Sequence, residues 1–243
     1  MRRRRLAEAY LARHREVDGW LVDTTARATD HLLQAQTELG VRGNVLEIGV
    51  HHGRYFIVLA NGLAAGESAL AIDLFADQAR NTTRSGSGDW VELAANIARF
   101  APLARVEVVQ ADSVELGDEF IAAQYGVRFA SIDGGHDRAT TCSDLWLAER
   151  LAERGAIVAL DDIYRQDWSG VTAGLARYFA EGGGLHPFAF VPNKVLLTTD
   201  GRWAEEYRGR LRQGFPDYCD RFRPRQELFA FDDLLLIWDT PQG

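Results

Sequence analysis

The sequence predicts an α/β fold: a doubly wound, mostly parallel seven-stranded sheet with N-terminal helices and a C-terminal extension. Two observations predict it. Short apolar runs alternate with stretches of helix length through the middle of the chain, which is typical of parallel strands covered by helices on both faces. Acidic residues follow four of these runs. Because crossovers between parallel strands are right-handed, the alternation winds into an open sheet with one common carboxyl edge.

Most of the predicted elements lie in a core spanning residues 41–200, which follows an N-terminal helical segment (1–40). The N-terminal segment contains two helical stretches, 4–17 and 20–38. The five apolar runs of the core are 45–48, 69–72, 106–109, 127–132 and 156–160, and its helical stretches are 54–61, 90–100, 114–124, 138–153 and 168–181. Runs of four to six residues between longer periodic stretches predict βαβ units.

The end of the core predicts a β-hairpin. Two apolar runs, 188–191 and 195–199, flank the turn signal Pro192-Asn193. A C-terminal extension (201–243) follows, with a helix near 203–213 and a final apolar run.

Composition narrows the class of protein. The net charge of −8 disfavours a nucleic-acid partner, and no apolar run approaches the length of a membrane span. No secretory signal is visible, so we expect a cytoplasmic protein with Cys142 and Cys219 as reduced thiols. Lys194 is the only lysine, so a lysine base is hardly available.

The predicted site lies at the carboxyl edge of the sheet, where open α/β sheets bind ligands. Asp73, Asp112, Asp133 and the pair Asp161-Asp162 each stand at or after the end of a strand. One such acid is usually a helix cap or a turn residue. Acids at four strand ends favour a functional edge.

The first turn favours a cationic ligand. Its sequence, Glu47-Ile48-Gly49-Val50-His51-His52-Gly53, lacks the G-x-G-x-x-G pattern of dinucleotide sites. Glu47 also disfavours a pyrophosphate. S-adenosylmethionine has a cationic sulfonium and amine, which suit acidic surroundings.

The pattern Glu47-x-Gly49-x-x-x-Gly53 resembles the first motif of class I S-adenosylmethionine-dependent methyltransferases, with His51 at the position of a further glycine. The resemblance covers about residues 43–181 and implies the Rossmann-like methyltransferase fold. It implies that Glu47, Gly49 and Gly53 bind the cofactor.

Four further cofactor residues follow from the same resemblance. Asp73 matches the acid that binds the ribose hydroxyls, and a carboxylate accepts two such donors well. Asp112 and Ser113 match the turn beside the adenine, and Asp133 also borders the cofactor.

A second pattern resembles the metal-dependent sugar O-methyltransferases of the mycinamicin and macrocin type. His136 follows Asp133 by three residues, and the pair Asp161-Asp162 begins 28 residues after Asp133. In the mycinamicin branch the first acid of the pair is Glu, and catechol-type relatives carry lysine at the position of His136. The resemblance implies Asp133, Asp161 and Asp162 as metal ligands, with His136 as general base beside Asp133 in the catalytic group.

Physical chemistry agrees with that assignment. Carboxylates suit Mg²⁺ or another hard divalent cation. A cation that binds two vicinal hydroxyls favours the alkoxide, and a histidine near neutral pKa suits the base. The sequence therefore predicts methyl transfer to a saccharide or other small-molecule acceptor.

Several alternatives stay open. The sheet could serve a nicotinamide-dependent oxidoreductase or a non-catalytic cofactor-binding protein. Asp161-Asp162 could shape a turn, and His136 could bond only locally. Segment 74–89 is a lid or a floppy loop. Tyr55, Tyr164 and Trp168 line the acceptor pocket or belong to the core, and the terminal segments could form a homodimer interface.

Overall fold

The computed structural model describes residues 2–124, 126–220 and 227–242, which form one eight-stranded sheet with helices on both faces. The strands are β1 (Asn44–Ile48), β2 (Ala69–Asp73), β3 (Val106–Gln110), β4 (Val127–Ile132), β5 (Ala152–Asp161), β6 (His186–Val191), β7 (Lys194–Thr198) and β8 (Leu235–Leu236). Their order is β3-β2-β1-β4-β5-β7-β6-β8. Strands β1 to β5 are parallel, β7 is antiparallel to β5 and β6, and β8 is parallel to β6.

Helices cover the sheet in two layers. They are α1 (Arg2–Leu11), α2 (Asp23–Glu38), α3 (Phe56–Asn61), α4 (Trp90–Phe100), α5 (Asp118–Ala123), α6 (Arg138–Leu151), α7 (Ser169–Ala180) and α8 (Gly201–Gly214). Alternate residues of β1 serve the two layers: Val45 packs with α1–α4 and α8, and Leu46 packs with α6 and α7. Apolar residues on both faces are what a doubly covered strand requires.

The predicted fold class is confirmed, including the five parallel strands and the hairpin of β6 and β7. Three details differ. Helix α1 ends at Leu11, and a 3₁₀ turn at His14–Glu16 follows. The predicted helix 114–124 is a 3₁₀ turn followed by α5. The final apolar run adds an eighth strand because β8 pairs with the outer side of β6.

The three predicted segments share one core. Tyr10 of α1, Leu33 of α2 and Tyr207 of α8 belong to the same buried cluster as Val45, so the division at residues 40 and 200 stays a prediction. The two cysteines are buried and free. Among the described residues, no helix is long and apolar enough to cross a membrane.

A buried ion pair lies at the edge of the sheet opposite the strand ends, and Gln36 of α2 is hydrogen-bonded to it. Arg128, near the start of β4, is fully buried and donates to Glu67 at 2.9 and 3.1 Å. It also donates to the side-chain oxygen of Gln36 at 2.9 Å, and Gln36 donates back to the Arg128 carbonyl. These bonds offset the desolvation of a guanidinium that has no access to water.

Arg128→Met is expected to lower the free energy of unfolding by about 3–5 kcal/mol, because Glu67 is left as an unpaired buried charge. Urea unfolding measures this. The double variant Arg128→Met/Glu67→Leu should recover much of the loss. Arg150→Met, which removes an exposed ion pair with Asp118, is the control and should cost less than about 1 kcal/mol. Equal losses in the two single variants would contradict the interpretation.

Candidate functional site

The strand ends open into a cavity of about 570 Å³. It brings together most of the predicted site residues. Those that line it are Gly49, Asp73, Asp112, Ser113, Asp133, His136, Asp161 and Asp162. Two do not: Glu47 is only 2 % exposed within β1, and Gly53 packs against α4.

The two glycines of the first turn are required by the protein's own packing. Gly49 has φ +81°, and a Cβ there would overlap the carbonyl oxygen of Asp133. Gly53 has φ +89°, and a Cβ there would lie 2.6 Å from Leu93. His51, at the position where the resembled motif has glycine, takes φ +52°, in the left-handed region that glycine adopts most easily. Cofactor binding by Gly49 and Gly53 stays a prediction.

Asp73 holds the first turn in place. Its Oδ2 accepts from the backbone N–H groups of Val50 at 2.8 Å and His51 at 2.9 Å, and its Oδ1 accepts from Phe75 at 2.8 Å. The side chain still lines the cavity. Gly88 passes so close that a Cβ there would lie 2.8 Å from Oδ1. Asp73 therefore links the turn, the cavity and the returning end of segment 74–89.

Segment 74–89 lies along the cavity. Nine of its residues line it: Leu74, Gln78, Arg80, Asn81, Thr82, Thr83, Ser85, Gly86 and Gly88. Arg80 pairs with Glu115 and lies 3.3 Å from Asp112, which ties the segment to the end of β3. The placement is that of a lid, and its opening stays a prediction.

The turn that follows β3 rests on a buried acid. Ser113 is buried beside Asp144 of α6, and Asp144 Oδ2 also lies close to Gly134 of the cavity wall. Burial raises the pKa of Asp144 to about 7, and the nearby Ser113 side chain opposes that rise. Asp144 is thus a carboxyl that the fold keeps partly protonated near neutral pH.

The raised pKa of Asp144 predicts a pH-dependent stability. The folded protein holds this proton up to about pH 7, whereas an unfolded aspartate loses it near pH 4. The stabilisation is complete below that lower pH and is lost as the pH rises through 7. Relative to Asp144→Asn, the wild type should lose roughly 2–4 kcal/mol of unfolding free energy between pH 4 and pH 8. Glu119→Gln, at an exposed acid of α5, is the control. A pH-independent difference would contradict the interpretation.

His136 lies between two carboxylates. Its Nε2 is 2.9 Å from Asp162 Oδ2 and 3.6 Å from Asp133 Oδ1. Its ring packs on Trp168 with centroids 4.4 Å apart. Burial lowers the pKa of His136, but Asp133 and Asp162 outweigh burial and raise it to about 9. A positive charge on the same carboxylates would oppose that rise and favour the neutral imidazole.

The two acids at the end of β5, Asp161 and Asp162, have different hydrogen-bond partners. Asp162 accepts from His136 and, through Oδ1, from Asn193 at 2.8 Å. Burial raises the pKa of Asp162, but His136 and Asn193 lower it below its usual value. Asp161 accepts from Asn193 at 2.6 Å and from Lys194 at 2.5 Å. Burial and Asp133 raise the pKa of Asp161, which Lys194 opposes.

Lys194 is the site residue that sequence reasoning missed. It is 3 % exposed and lies opposite Asp161 in the pairing of β5 with β7. Its ammonium also lies 4.4 Å from the centre of the Tyr55 ring. The Pro192-Asn193 turn was a visible signal, but only the register of the hairpin against β5 brings a lysine to the acids.

Trp20 lines the cavity and is another residue that the sequence did not indicate. It is 75 % exposed and lies at the cavity, with its ring 5.5 Å from that of His51. Arg54 holds the preceding segment by donating to the carbonyl oxygens of His14, Arg15, Val17 and Gly19. Of the three aromatic residues left open between pocket and core, Trp168 lines the cavity, Tyr55 belongs to the core, and Tyr164 is exposed outside the cavity.

Residues 46–163 match the family described as a methyltransferase domain. This segment is a methyltransferase domain. The match spans the first turn and both parts of the acid pattern, and it decides against a nicotinamide-dependent oxidoreductase. No curated protein is significantly similar to the chain in sequence.

Solved structures share the methyltransferase fold. The O-methyltransferase NovP is 13 % identical with a TM-score of 0.57, and the alignment covers 72 % of this chain and 79 % of NovP. An O-methyltransferase from Bacillus cereus in complex with S-adenosylhomocysteine is 19 % identical, with a TM-score of 0.50 and coverages of 80 % and 87 %. The TDP-rhamnose 3′-O-methyltransferase of calicheamicin biosynthesis is 20 % identical, with a TM-score of 0.50 and coverages of 70 % and 78 %. At these identities the likeness concerns the fold.

Proposed function

We propose that this methyltransferase uses S-adenosylmethionine and a divalent cation, Mg²⁺ or a similar hard ion, to methylate a hydroxyl of a saccharide. The observation that carries the proposal is the convergence of Asp133, His136 and Asp162 at the cavity. One ligand atom from each of these residues lies within 4.8 Å of the other two. The set combines two carboxylates, which can bind a cation, with an imidazole, which can act as a base. All three residues border the cavity that an acceptor would enter.

The cofactor would occupy the part of the cavity bordered by the first turn, β2 and β3. There Asp73 would accept the ribose hydroxyls, and Asp112 and Ser113 would border the adenine. Gly49 would let the backbone approach the methionine moiety. Glu47 and Gly53 would act from beneath the turn, because neither lines the cavity. This arrangement would point the methyl group toward the acids of β4 and β5.

The donor set fits a hard divalent cation. Asp133 and Asp162 offer carboxylate oxygens, which Mg²⁺ prefers, and both residues line the open cavity where water and acceptor oxygens complete a shell. Asp161 is the third acid of the resembled pattern. When bound, the cation would polarise two neighbouring acceptor hydroxyls and lower the pKa of the reacting one.

The residues of the chain would then perform the transfer. When the Asp162 carboxylate binds the cation, His136 Nε2 would be released from its hydrogen bond to Asp162 and, in the neutral imidazole, would accept the proton of the acceptor hydroxyl as the hydroxyl oxygen bonds to the methyl carbon. The carbon–sulfur bond breaks, its electron pair stays on sulfur, and S-adenosylhomocysteine leaves. Trp168 holds the imidazole in position through its ring contact, and alignment of oxygen, carbon and sulfur supplies the remaining rate enhancement.

A saccharide acceptor is supported by two observations. The acid–histidine spacing resembles that of sugar O-methyltransferases, and one solved structure with this fold has TDP-rhamnose named as its substrate. The net charge of −8 argues against a nucleic-acid acceptor. We further infer a cytoplasmic protein that forms a homodimer, which sedimentation at micromolar concentration tests.

The acceptor class is tested with methyl pyranosides in matched pairs, one member with a vicinal diol and the other lacking one of its two hydroxyls. Formation of S-adenosylhomocysteine and of a methylated glycoside is measured with Mg²⁺ present. We expect turnover of at least one diol, and a loss of about 100-fold for its deoxy partner because a ligand of the cation is missing. Catechol is the comparison. Methylation of catechol without any glycoside turnover would contradict the saccharide acceptor.

A further inference from the structure

Both carboxylate oxygens of Asp161 accept hydrogen bonds from other groups of the protein. Oδ1 accepts from the side chain of Asn193 at 2.6 Å and from the backbone N–H of Asp162 at 2.9 Å. Oδ2 is paired with the Lys194 ammonium at 2.5 Å. A cation that bound either oxygen in addition would have to share it with these donors.

Lys194 is fixed in this place. It is 97 % buried, its backbone is paired with Asp161 across β5 and β7, and its ammonium lies over the Tyr55 ring. The Tyr55 hydroxyl is itself bonded to Thr29 at 2.8 Å. If the ammonium left Asp161, it would stay buried without a charged partner. Because that is costly, the ion pair persists.

Asp162 and Asp133 differ from Asp161 in the groups that surround their carboxylates. Oδ2 of Asp162 lies 2.9 Å from Nε2 of His136, and Oδ1 of Asp133 lies 3.6 Å from the same nitrogen. The three ligand atoms that cluster within 4.8 Å come from Asp133, His136 and Asp162, and Asp161 is not among them. Asp162 also lies 3.5 Å from the guanidinium of Arg165, which is 48 % exposed, but among the described residues neither Asp133 nor Asp162 is paired with a buried ammonium.

We propose that Lys194 is a positioning residue that keeps Asp161 out of the metal shell, so that a divalent cation is bound by Asp133 and Asp162 on the His136 side. This rests on the proposed metal dependence. Lys194 supplies a permanent positive charge beneath the acids, and Asn193 bridges both members of the pair and holds Asp162 toward the cavity. Neighbouring acids of identical chemistry thus have separate tasks: Asp161 is part of the scaffold, and Asp162 is a ligand.

The test is Mn²⁺ binding by the full chain, measured by electron paramagnetic resonance of the free ion and by calorimetry. We compare wild type, Asp161→Asn and Asp162→Asn, each checked for folding by its affinity for S-adenosylhomocysteine. Asp162→Asn should weaken Mn²⁺ binding by about 50-fold or more, since it replaces a charged ligand of the cation by a neutral amide. Asp161→Asn should change it by less than about fivefold, because the new amide oxygen still accepts from Lys194.

A second pair of variants addresses Lys194 itself. Lys194→Met releases Asp161, which should then join the shell and tighten Mn²⁺ binding by about tenfold. In Lys194→Met/Asp161→Asn the affinity should return to the wild-type value. If Lys194→Met does not fold, the comparison of the two acid variants decides alone.

The outcomes separate the inference from the proposed function. Equal losses in Asp161→Asn and Asp162→Asn would overturn the role of Lys194 while leaving the metal site intact. Failure of the wild type to bind Mn²⁺ at millimolar concentration would overturn the proposed metal dependence, and this inference with it.

Discussion

Asp162→Asn is expected to reduce methyl transfer by at least about 1,000-fold while leaving cofactor affinity nearly unchanged. Asp162 would serve two functions. It is a proposed ligand of the cation, and without the cation it accepts the 2.9 Å hydrogen bond that holds the His136 imidazole in place. Removal of a general base costs roughly 100- to 10,000-fold, and loss of the cation adds to that. The proposed cofactor half of the cavity lies at β2 and β3, so the contacts with the cofactor should remain in this variant.

The measurement is single-turnover methyl transfer beside calorimetric binding of S-adenosylhomocysteine. Asp167→Asn is the matched control, because Asp167 is an acid on the same connection after β5, lines the cavity and is 77 % exposed. It should keep transfer within about threefold of wild type. If Asp162→Asn turned over at the control rate, neither the cation nor His136 would depend on this carboxylate, and the proposed site would be wrong.

Asp73→Ala is expected to weaken S-adenosylhomocysteine binding by about 100-fold or more. A hydrogen bond to a charged group contributes roughly 1.5–3 kcal/mol, and the proposed ribose contact provides two. The variant also frees the N–H groups of Val50 and His51 that Asp73 holds at 2.8 and 2.9 Å. The turn that shapes the methionine end of the cavity would therefore loosen as the ribose contact is lost.

Calorimetric titration with S-adenosylhomocysteine measures this loss. Asp77→Ala, at an exposed acid four residues further along the same segment, is the control and should bind like the wild type. Thermal unfolding separates the two effects of Asp73: a variant that unfolds at nearly the wild-type temperature yet binds weakly has lost the ligand contact. Wild-type affinity in Asp73→Ala would contradict the ribose assignment and the orientation of cofactor in the cavity.

The sequence was sufficient to predict four strand ends, because four of the five apolar runs in the core are followed by an acid whose side chain must leave the core. That rule placed Asp73, Asp112, Asp133 and Asp161-Asp162 around one cavity before any coordinates were known. It relied on parallel strands sharing an edge, which depends on connection handedness and little else.

What the sequence could not predict depends on register and on distant packing. Lys194 reaches Asp161 only because β7 pairs antiparallel with β5 in one register. Trp20 lies at the cavity because Arg54 binds the carbonyl groups before it. Gly49 has a local motif as its signal, but its steric reason is the backbone of Asp133, 84 residues away in sequence. Such pairs leave no periodic pattern in a single chain.

The central claim is that one cavity binds the cofactor without a cation and transfers methyl only with one. The most direct measurement uses a single chelator-treated sample, assayed for S-adenosylhomocysteine affinity and for methyl transfer to the accepted glycoside, before and after Mg²⁺ is returned. We expect the affinity for S-adenosylhomocysteine to change by less than about threefold. The transfer rate should fall to background without Mg²⁺ and recover when Mg²⁺ is returned. Transfer at the full rate in the presence of chelator would contradict the central claim, and would leave Asp133 and Asp162 as acids that serve His136 alone.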